Sequence, residues 1–409
     1  MIPALVGLFL FSHTAPTNAE VKPLPPINGE FGVSIDAFNG NILYGKNEHT
    51  QAYPASITKV LTAILADEHL KDSDMIPVSE LSSLQEPSNQ QLLLKQGESV
   101  SKEDALEMLM LISSNDVAHS IAEKIGGSIE GFSVMMNAKA KELGAKNTHF
   151  VTPNGLPNPE HKTTAYDMAM FGREITKHPY LMNILSKKTA DITLPERNVS
   201  IHSKHKIFDT NPKALGGKTG WTKASGNTLL VISKDGDKTI VSVVMKTTSA
   251  GASYQDINTM NDYSFPLFKS KIFYSAGDVV SSINIKREQI DLITKEPIVL
   301  SYKDEKKINN KVIWANKKNF SKNDIAAWLV ILDNKNKETQ RFPLSINKSV
   351  KISNDVKNDT LTPLNKAEIK KVNYLKFITI FSIIIFLPCF LFFLLFRISH
   401  KKSLKKPQS

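Results

Sequence analysis

The chain has 409 residues, enough for two or three cores at roughly 100 to 200 residues each, and its 41% hydrophobic and 22% charged content excludes a disordered polymer. The single cysteine, Cys389, lies in an apolar run, which excludes internal disulfides, thiolate zinc sites and a cysteine nucleophile in any soluble part, leaving Ser, Thr, Lys or a carboxylate. A net charge of +11 suits an anionic lipid or polymer surface as well as nucleic acid and does not choose between them.

The chain opens with the apolar run MIPALVGLFLF and small residues that offer cleavage after Ala15 or Ala19, so residues 1–19 read as a secretory signal, although no Lys or Arg precedes Lys22. Alternation over Phe31 to Ala37, a turn at Asn39-Gly40 and a returning strand from Ile42 to Gly45 predict a hairpin. Ile57, Val60, Leu61, Ile64 and Leu65 recur at helical spacing behind Pro54, predicting a helix from Ser56 to Leu70. Further helices are expected over Lys102 to Leu111, Asp116 to Ile125, Gly131 to Leu143 and Thr164 to Ile175. From Gly217 the period becomes that of strands, Lys218 to Thr222, Thr228 to Ile232 and Thr239 to Met245, and a last helix is expected over Tyr254 to Leu267. The pattern suits one antiparallel sheet flanked by helices with a helical subdomain inserted, an α/β (α+β) catalytic domain over residues 28–270.

Beyond Gly277 short Lys- and Asn-rich strands, Val280 to Ile285, Ile298 to Tyr302, Val312 to Trp314 and Ala327 to Leu332, predict a small all-β domain over 277–352 whose charges are a solvated surface. Residues 353–376 read as a polar linker. Phe377 to Phe396 carries no charge and is long enough, at about 1.5 Å per residue, to cross a bilayer core of about 30 Å. Arg397, Lys401, Lys402, Lys405 and Lys406 mark residues 397–409 as a cytoplasmic tail. Signal and span together predict a body on the outer face of a bacterial cytoplasmic membrane, crossed once, with lipid as a partner and no nucleic acid.

Ser56 and Lys59, three apart at a helix start, share one face as a nucleophile beside its base. Ser-x-x-Lys is a poor signal alone in a Lys-rich chain. Two further motifs follow in order, Ser113-Ser114-Asn115 at a loop between two helices and Lys218-Thr219-Gly220 opening a strand. With these three the sequence resembles the penicillin-recognising serine enzymes, and most closely the low-molecular-mass penicillin-binding proteins of the serine-type D-alanyl-D-alanine carboxypeptidase family. The resemblance covers roughly Gly29 to Phe268, including Tyr53-Pro54-Ala55-Ser56, Thr152-Pro153-Asn154-Gly155-Leu156 and Thr163-Thr164-Ala165-Tyr166-Asp167-Met168. It implies the serine β-lactamase/transpeptidase-like fold and the following roles. Ser56 attacks the carbonyl between the terminal D-alanines of a peptidoglycan pentapeptide stem, Lys59 takes its proton, and Ser113 relays a proton to the leaving amine. Asn115 binds the peptide backbone, and Lys218 and Thr219 hold the terminal carboxylate. Gly220 admits the substrate strand, and the N–H groups of Ser56 and Trp221 form the oxyanion hole. β-Lactams are expected to acylate the same serine.

Trp221 stands where several relatives carry His, which bears on deacylation. Asp167 reads as a helix residue capping or pairing with a neighbour. No cofactor or metal is expected: His-Glu-x-x-His is missing, so His119, His149, His161, His202 and His205 read as surface or helix-face residues. Trp314 and Trp328 read as core. No Glu-x-x-Leu-Asn segment supports a class A β-lactamase; a D,D-endopeptidase and a penicillin-binding wall protein without turnover remain the alternatives.

Overall fold

The computed structural model describes residues 23–88, 91–285, 288–302, 309–315, 317, 319–332, 336 and 338–351. The expected signal, the linker at 353–376, the span at 377–396 and the basic tail lie outside these residues. No helix among the described residues is long and apolar enough to cross a membrane.

The strands are β1 Phe31–Asp36, β2 Ile42–Lys46, β3 Met75–Pro77, β4 Ser99–Ser101, β5 Thr189–Leu194, β6 Arg197–His202, β7 Ala214–Thr222, β8 Gly226–Asp235 and β9 Lys238–Thr247. The helices are α1 Lys59–His69, α2 Glu80–Ser83, α3 Lys102–Glu107, α4 Asn115–Gly126, α5 Ile129–Glu142, α6 Ala165–Ile175, α7 Pro179–Ser186, α8 Ile207–Thr210 and α9 Ala250–Ser264. The central sheet has the order β2-β1-β9-β8-β7 and is antiparallel throughout. Strands β1 and β9 lie far apart in sequence yet are neighbours in the sheet: Val33 and Ile35 of β1 face Val243 and Val241 of β9.

Both faces of the sheet are covered, which is why β8 and β9 read as near-continuous apolar runs. Leu230, Ile232, Val241 and Val243 pack on one side with α1, α4 and α6, while Leu229, Val231 and Val244 pack on the other with Ile257 and Met260 of α9. The helices between β2 and β5 form the inserted subdomain, with β3 and β4 paired beneath it. Its α4 and α5 bury Val117, Ile121, Phe132 and Met136 in the same core as α1.

Two helical expectations are corrected locally. Ser56 lies in a 3-10 turn, Ala55–Thr58, and the α-helix begins only at Lys59. The helix expected to Leu111 is regular to Glu107 and then widens into a π turn, Met108–Ile112, ending at Ser113 in the left-handed region, φ +66°.

The β-rich part comprises β10 Lys269–Tyr274, β11 Val279–Ile285, β12 Glu288–Ile293, β13 Ile298–Tyr302, β14 Asn309–Trp314, β15 Asn319–Phe320, β16 Ile325–Leu332, β17 Glu338–Ile346 and β18 Val350–Lys351. A five-stranded sheet, β11-β12-β17-β16-β14, and the pairs β10-β13 and β15-β18 enclose a separate core of Val280, Leu292, Leu329, Leu344 and Ile346. Strand pairing here begins at Lys269, ahead of the expected start at 277, because β10 pairs with β13.

Candidate active site

The three motifs come from distant parts of the chain and meet at one cleft of about 660 Å³, lined among others by Ser56, Ser113, Asn115, Thr219, Gly220 and Trp221. The 3-10 turn completes a revolution in about three residues, so Ser56 and Lys59 stand one above the other. Lys59 Nζ lies 3.1 Å from Ser56 Oγ, 2.7 Å from Asn115 Oδ1 and 2.8 Å from the Asn154 carbonyl. The side chain is wholly buried, 0% exposed, although it is a lysine. Burial, followed by the nearby ammonium groups of Lys218 and Lys204, pulls its pKa well below the usual lysine value, against a smaller opposing effect of Asp116.

These contacts define what Lys59 can do. A neutral amine has two N–H donors and one lone pair. The Asn154 carbonyl accepts only, and the Asn115 oxygen accepts only, so they take both donors. The lone pair is left for Ser56, the one partner with a proton to give. In this arrangement a neutral Lys59 can accept the Ser56 hydroxyl proton.

A second lysine–serine pair lies alongside. Lys218 Nζ donates to Ser113 Oγ at 3.0 Å and to the Thr219 carbonyl at 2.9 Å, and the residue is 1% exposed. Burial first, then the charge of Lys204, lowers its pKa to about 7. Lys218 therefore sits beneath the cleft wall and grips Ser113, while the cleft surface is formed by Thr219. Asn115 also differs from the expected picture: its Oδ1 is occupied by Lys59, and its Nδ2 donates to the Glu86 carbonyl at 2.7 Å.

Local backbone geometry supports both serines. Ala55, just before Ser56, has φ +53°, and Ser113 has φ +66°. Such conformations cost of the order of 1–3 kcal/mol for non-glycine residues and persist only where the surroundings impose them. The surroundings are visible: Thr228 Oγ1 donates to the Pro54 carbonyl at 2.8 Å, and a Cβ on Gly155 would lie 2.0 Å from the Ala55 carbonyl oxygen. Gly220 is tight as well. Its missing Cβ would fall 2.8 Å from Ser56 N and 2.5 Å from Thr228 Oγ1, so glycine lets β7 approach the serine turn itself.

Lys204 was not singled out by sequence, because no motif marks it in a Lys-rich chain. It lines the cleft, its Nζ donates to the Ser88 carbonyl, and its charge lowers both buried lysines. Asp167 accepts from Asn147 N and Thr148 Oγ1, both at 2.8 Å, and holds that loop rather than lining the cleft.

The histidines are corrected in part: His119, His161 and His205 are buried. His161 accepts from Val151 N at 3.0 Å through Nδ1 and meets Thr58 Oγ1 at 2.9 Å through Nε2, with burial pushing its pKa down to about 3. Among the described residues no group of His, Cys, Asp and Glu is placed to hold a metal. Trp314 and Trp328, expected as core, are half-buried in the β-rich part: Trp314 meets Phe320 at a tilt of 42°, and Trp328 lies under Arg341.

A family model described as D-alanyl-D-alanine carboxypeptidase matches residues 17–249. The chain belongs to that family. Among its relatives, the D-alanyl-D-alanine carboxypeptidase DacF of Bacillus subtilis is 30% identical over 289 residues, covering 68% of this chain and 73% of the relative. DacD of Escherichia coli, another D-alanyl-D-alanine carboxypeptidase, is 30% identical over 311 residues, 71% of this chain and 78% of its own. Among solved structures, penicillin binding protein 5 from Haemophilus influenzae shares the fold with a TM-score of 0.62 at 24% identity, covering 81% of this chain and 99% of that one. Penicillin binding protein 6B from Escherichia coli gives 0.58 at 25% identity, covering 80% and 98%. The fold is thus of the penicillin-binding, transpeptidase-like α/β type.

Proposed function

We propose that this family member is a serine-type D-alanyl-D-alanine carboxypeptidase that removes the terminal D-alanine from peptidoglycan stem peptides through an acyl-enzyme on Ser56. The observation that carries this is the buried Lys59 amine, whose two oxygen acceptors leave its lone pair for the Ser56 hydroxyl.

Lys59 takes the Ser56 proton as Oγ adds to the carbonyl between the two D-alanines. The oxyanion forms between the N–H groups of Ser56 and Trp221, fixed donors that need no reorganisation as charge develops. Ser113, held by Lys218, passes a proton to the departing D-alanine amine. Water then attacks the ester and frees the shortened peptide. The Thr219 hydroxyl meets the terminal carboxylate directly, while Lys218 beneath and Lys204 at the rim supply positive potential. Asn115 orients Lys59 through Oδ1, and the remaining Nδ2 hydrogen is the donor for substrate backbone. β-Lactams acylate Ser56 because their ring amide takes the place of the scissile bond.

The termini belong to the same reading: a leader over residues 1–19, a lipid-embedded helix over 377–396 and a basic cytoplasmic tail would hold the active site on the outer face of the membrane, where the wall polymer is. The β-rich part would act as a spacer.

The test is D-alanine release from an N-acylated L-Lys-D-Ala-D-Ala peptide, comparing wild type with Ser56→Ala. Release abolished by the substitution supports the carboxypeptidase. Cleavage of a cross-linked dimer without release from the monomer would instead favour the endopeptidase, and stable penicillin acylation with neither activity a binding role.

A further inference from the structure

One of the groups around Lys59 Nζ is main chain: the Asn154 carbonyl, at 2.8 Å. It belongs to a loop, residues 151–155, that the serine turn and α1 meet at further points. Thr62 Oγ1 donates to the Pro153 carbonyl at 2.6 Å. Gly155 lies so close to the turn that a Cβ on it would fall 2.0 Å from the Ala55 carbonyl oxygen and 2.8 Å from Thr58 Oγ1. The aim of the Lys59 lone pair at Ser56 therefore depends on how this loop is held against the turn Ala55–Thr58.

A buried imidazole joins the two. His161 is 1% exposed, with its ring centroid 4.9 Å from that of Phe150. Its Nδ1 faces two backbone donors, Val151 N at 3.0 Å and Thr152 N at 3.2 Å. A nitrogen that accepts from both carries no proton, so the neutral ring has its proton on Nε2, and that N–H donates to Thr58 Oγ1 at 2.9 Å. One rigid ring thus accepts from the start of the loop and donates to the turn. A lysine cannot accept, and an ionised carboxylate cannot donate. Thr58 stands two residues after Ser56 and next to Lys59, so the bond reaches the nucleophile's own turn.

We propose that His161 is a positioning residue for acylation: its bond to Thr58 fixes the 151–155 loop against the serine turn and so sets the Asn154 carbonyl where it holds the Lys59 amine aimed at Ser56. This rests on the reading of Ser56 as nucleophile and Lys59 as base given above. His161 and Thr58 are both buried behind the cleft wall rather than on it. Cutting their bond should therefore slow the chemical step and spare the noncovalent binding of penicillin or substrate.

The experiment is a double-mutant cycle on penicillin acylation. Thr58→Val keeps the shape of the side chain and removes the acceptor. His161→Asn keeps an oxygen for the two loop N–H groups and is too short to reach Thr58. The two single variants, the double variant and Thr58→Ser are compared with wild type in limiting acylation rate and noncovalent dissociation constant, below the lowest of their thermal midpoints. The limiting rate should fall about tenfold in either single variant and no further in the double, and stay within about threefold of wild type in Thr58→Ser. The dissociation constant should move by less than about twofold throughout. Acylation by Thr58→Val within about threefold of wild type overturns the positioning role. So do equal losses in Thr58→Val and Thr58→Ser, losses that multiply in the double variant, or a loss carried by the dissociation constant alone; each leaves Ser56 and Lys59 in their roles. A folded wild-type protein that penicillin does not acylate overturns the nucleophile and base reading, and the positioning with it.

Discussion

Replacing Gly220 by alanine should damage the active site far more than the fold. The new Cβ would lie 2.5 Å from Thr228 Oγ1, 2.8 Å from Ser56 N and 3.1 Å from Ala55 Cβ. Ordinary contact begins at 3.4 Å, so relief requires shifts of about 0.9 Å and 0.6 Å from the first two atoms, their separations subtracted from that distance. Thr228 is a poor candidate to move, being buried and donating to the Pro54 carbonyl at 2.8 Å. The serine turn must therefore swing away from β7, carrying Ser56 N out of line with Trp221. Overpacking of this kind costs about 1–3 kcal/mol, and misplacing a nucleophile and an oxyanion donor by the better part of an ångström costs about 10²-fold or more in rate. The assay is the second-order rate of penicillin acylation together with the thermal midpoint, with Gly236→Asn as the control, since that turn glycine has φ +58° and nothing within 4 Å. A Gly220→Ala enzyme acylated within about threefold of wild type, with an unchanged midpoint, would refute the reasoning.

Acylation requires neutral Lys59, so its rate should fall as pH drops through the depressed lysine pKa. Because Lys204 lowers that pKa, Lys204→Gln should move the acid limb of the profile to higher pH, and an unmoved limb would contradict the assigned coupling. His161, about 3 in the folded protein against an ordinary 6.5, binds a proton far more readily once unfolded, so stability present above pH 6.5 is lost as pH falls from there toward 3. The loss is at most about 5 kcal/mol, and thermal midpoints of His161→Gln should depend less steeply on pH across that window; an equal slope would remove the histidine from the account. A chain ending at Lys351 should partition into the soluble fraction while the full-length chain sediments with membranes, and co-sedimentation of both would show that another segment binds lipid.

What was legible from sequence and what was not follow from the range of the forces involved. The β1-β2 hairpin and strands β7 to β9 are evident in the sequence because turn residues and two-residue alternation are local signals, and three short motifs carry the resemblance to the family. The 3-10 winding at Ser56 and the π turn before Ser113 were invisible, because both are imposed from outside: Gly155 and Thr228 hold one, and Lys218 and Ser88 hold the residue that ends the other. The hairpin β5-β6 escaped notice since its strands bury few residues, such as Ile192, Leu194 and Ile201, and otherwise read as polar loop. Lys204 carried no pattern at all; only its position at the cleft gives it a role. His161 was misjudged for the same reason, a polar residue whose burial depends on two backbone N–H groups and a threonine brought to it by folding.

The central claim is that Ser56 carries the acyl group in turnover. Quenching the enzyme in acid during reaction with an N-acylated L-Lys-D-Ala-D-Ala peptide, then mapping the adduct by mass spectrometry, tests it directly. The expected result is a covalent increment equal to the peptide acyl group without its last D-alanine, on the fragment containing Ser56 and missing in Ser56→Ala. D-alanine release with the adduct on another residue, or undiminished release by Ser56→Ala, would contradict it.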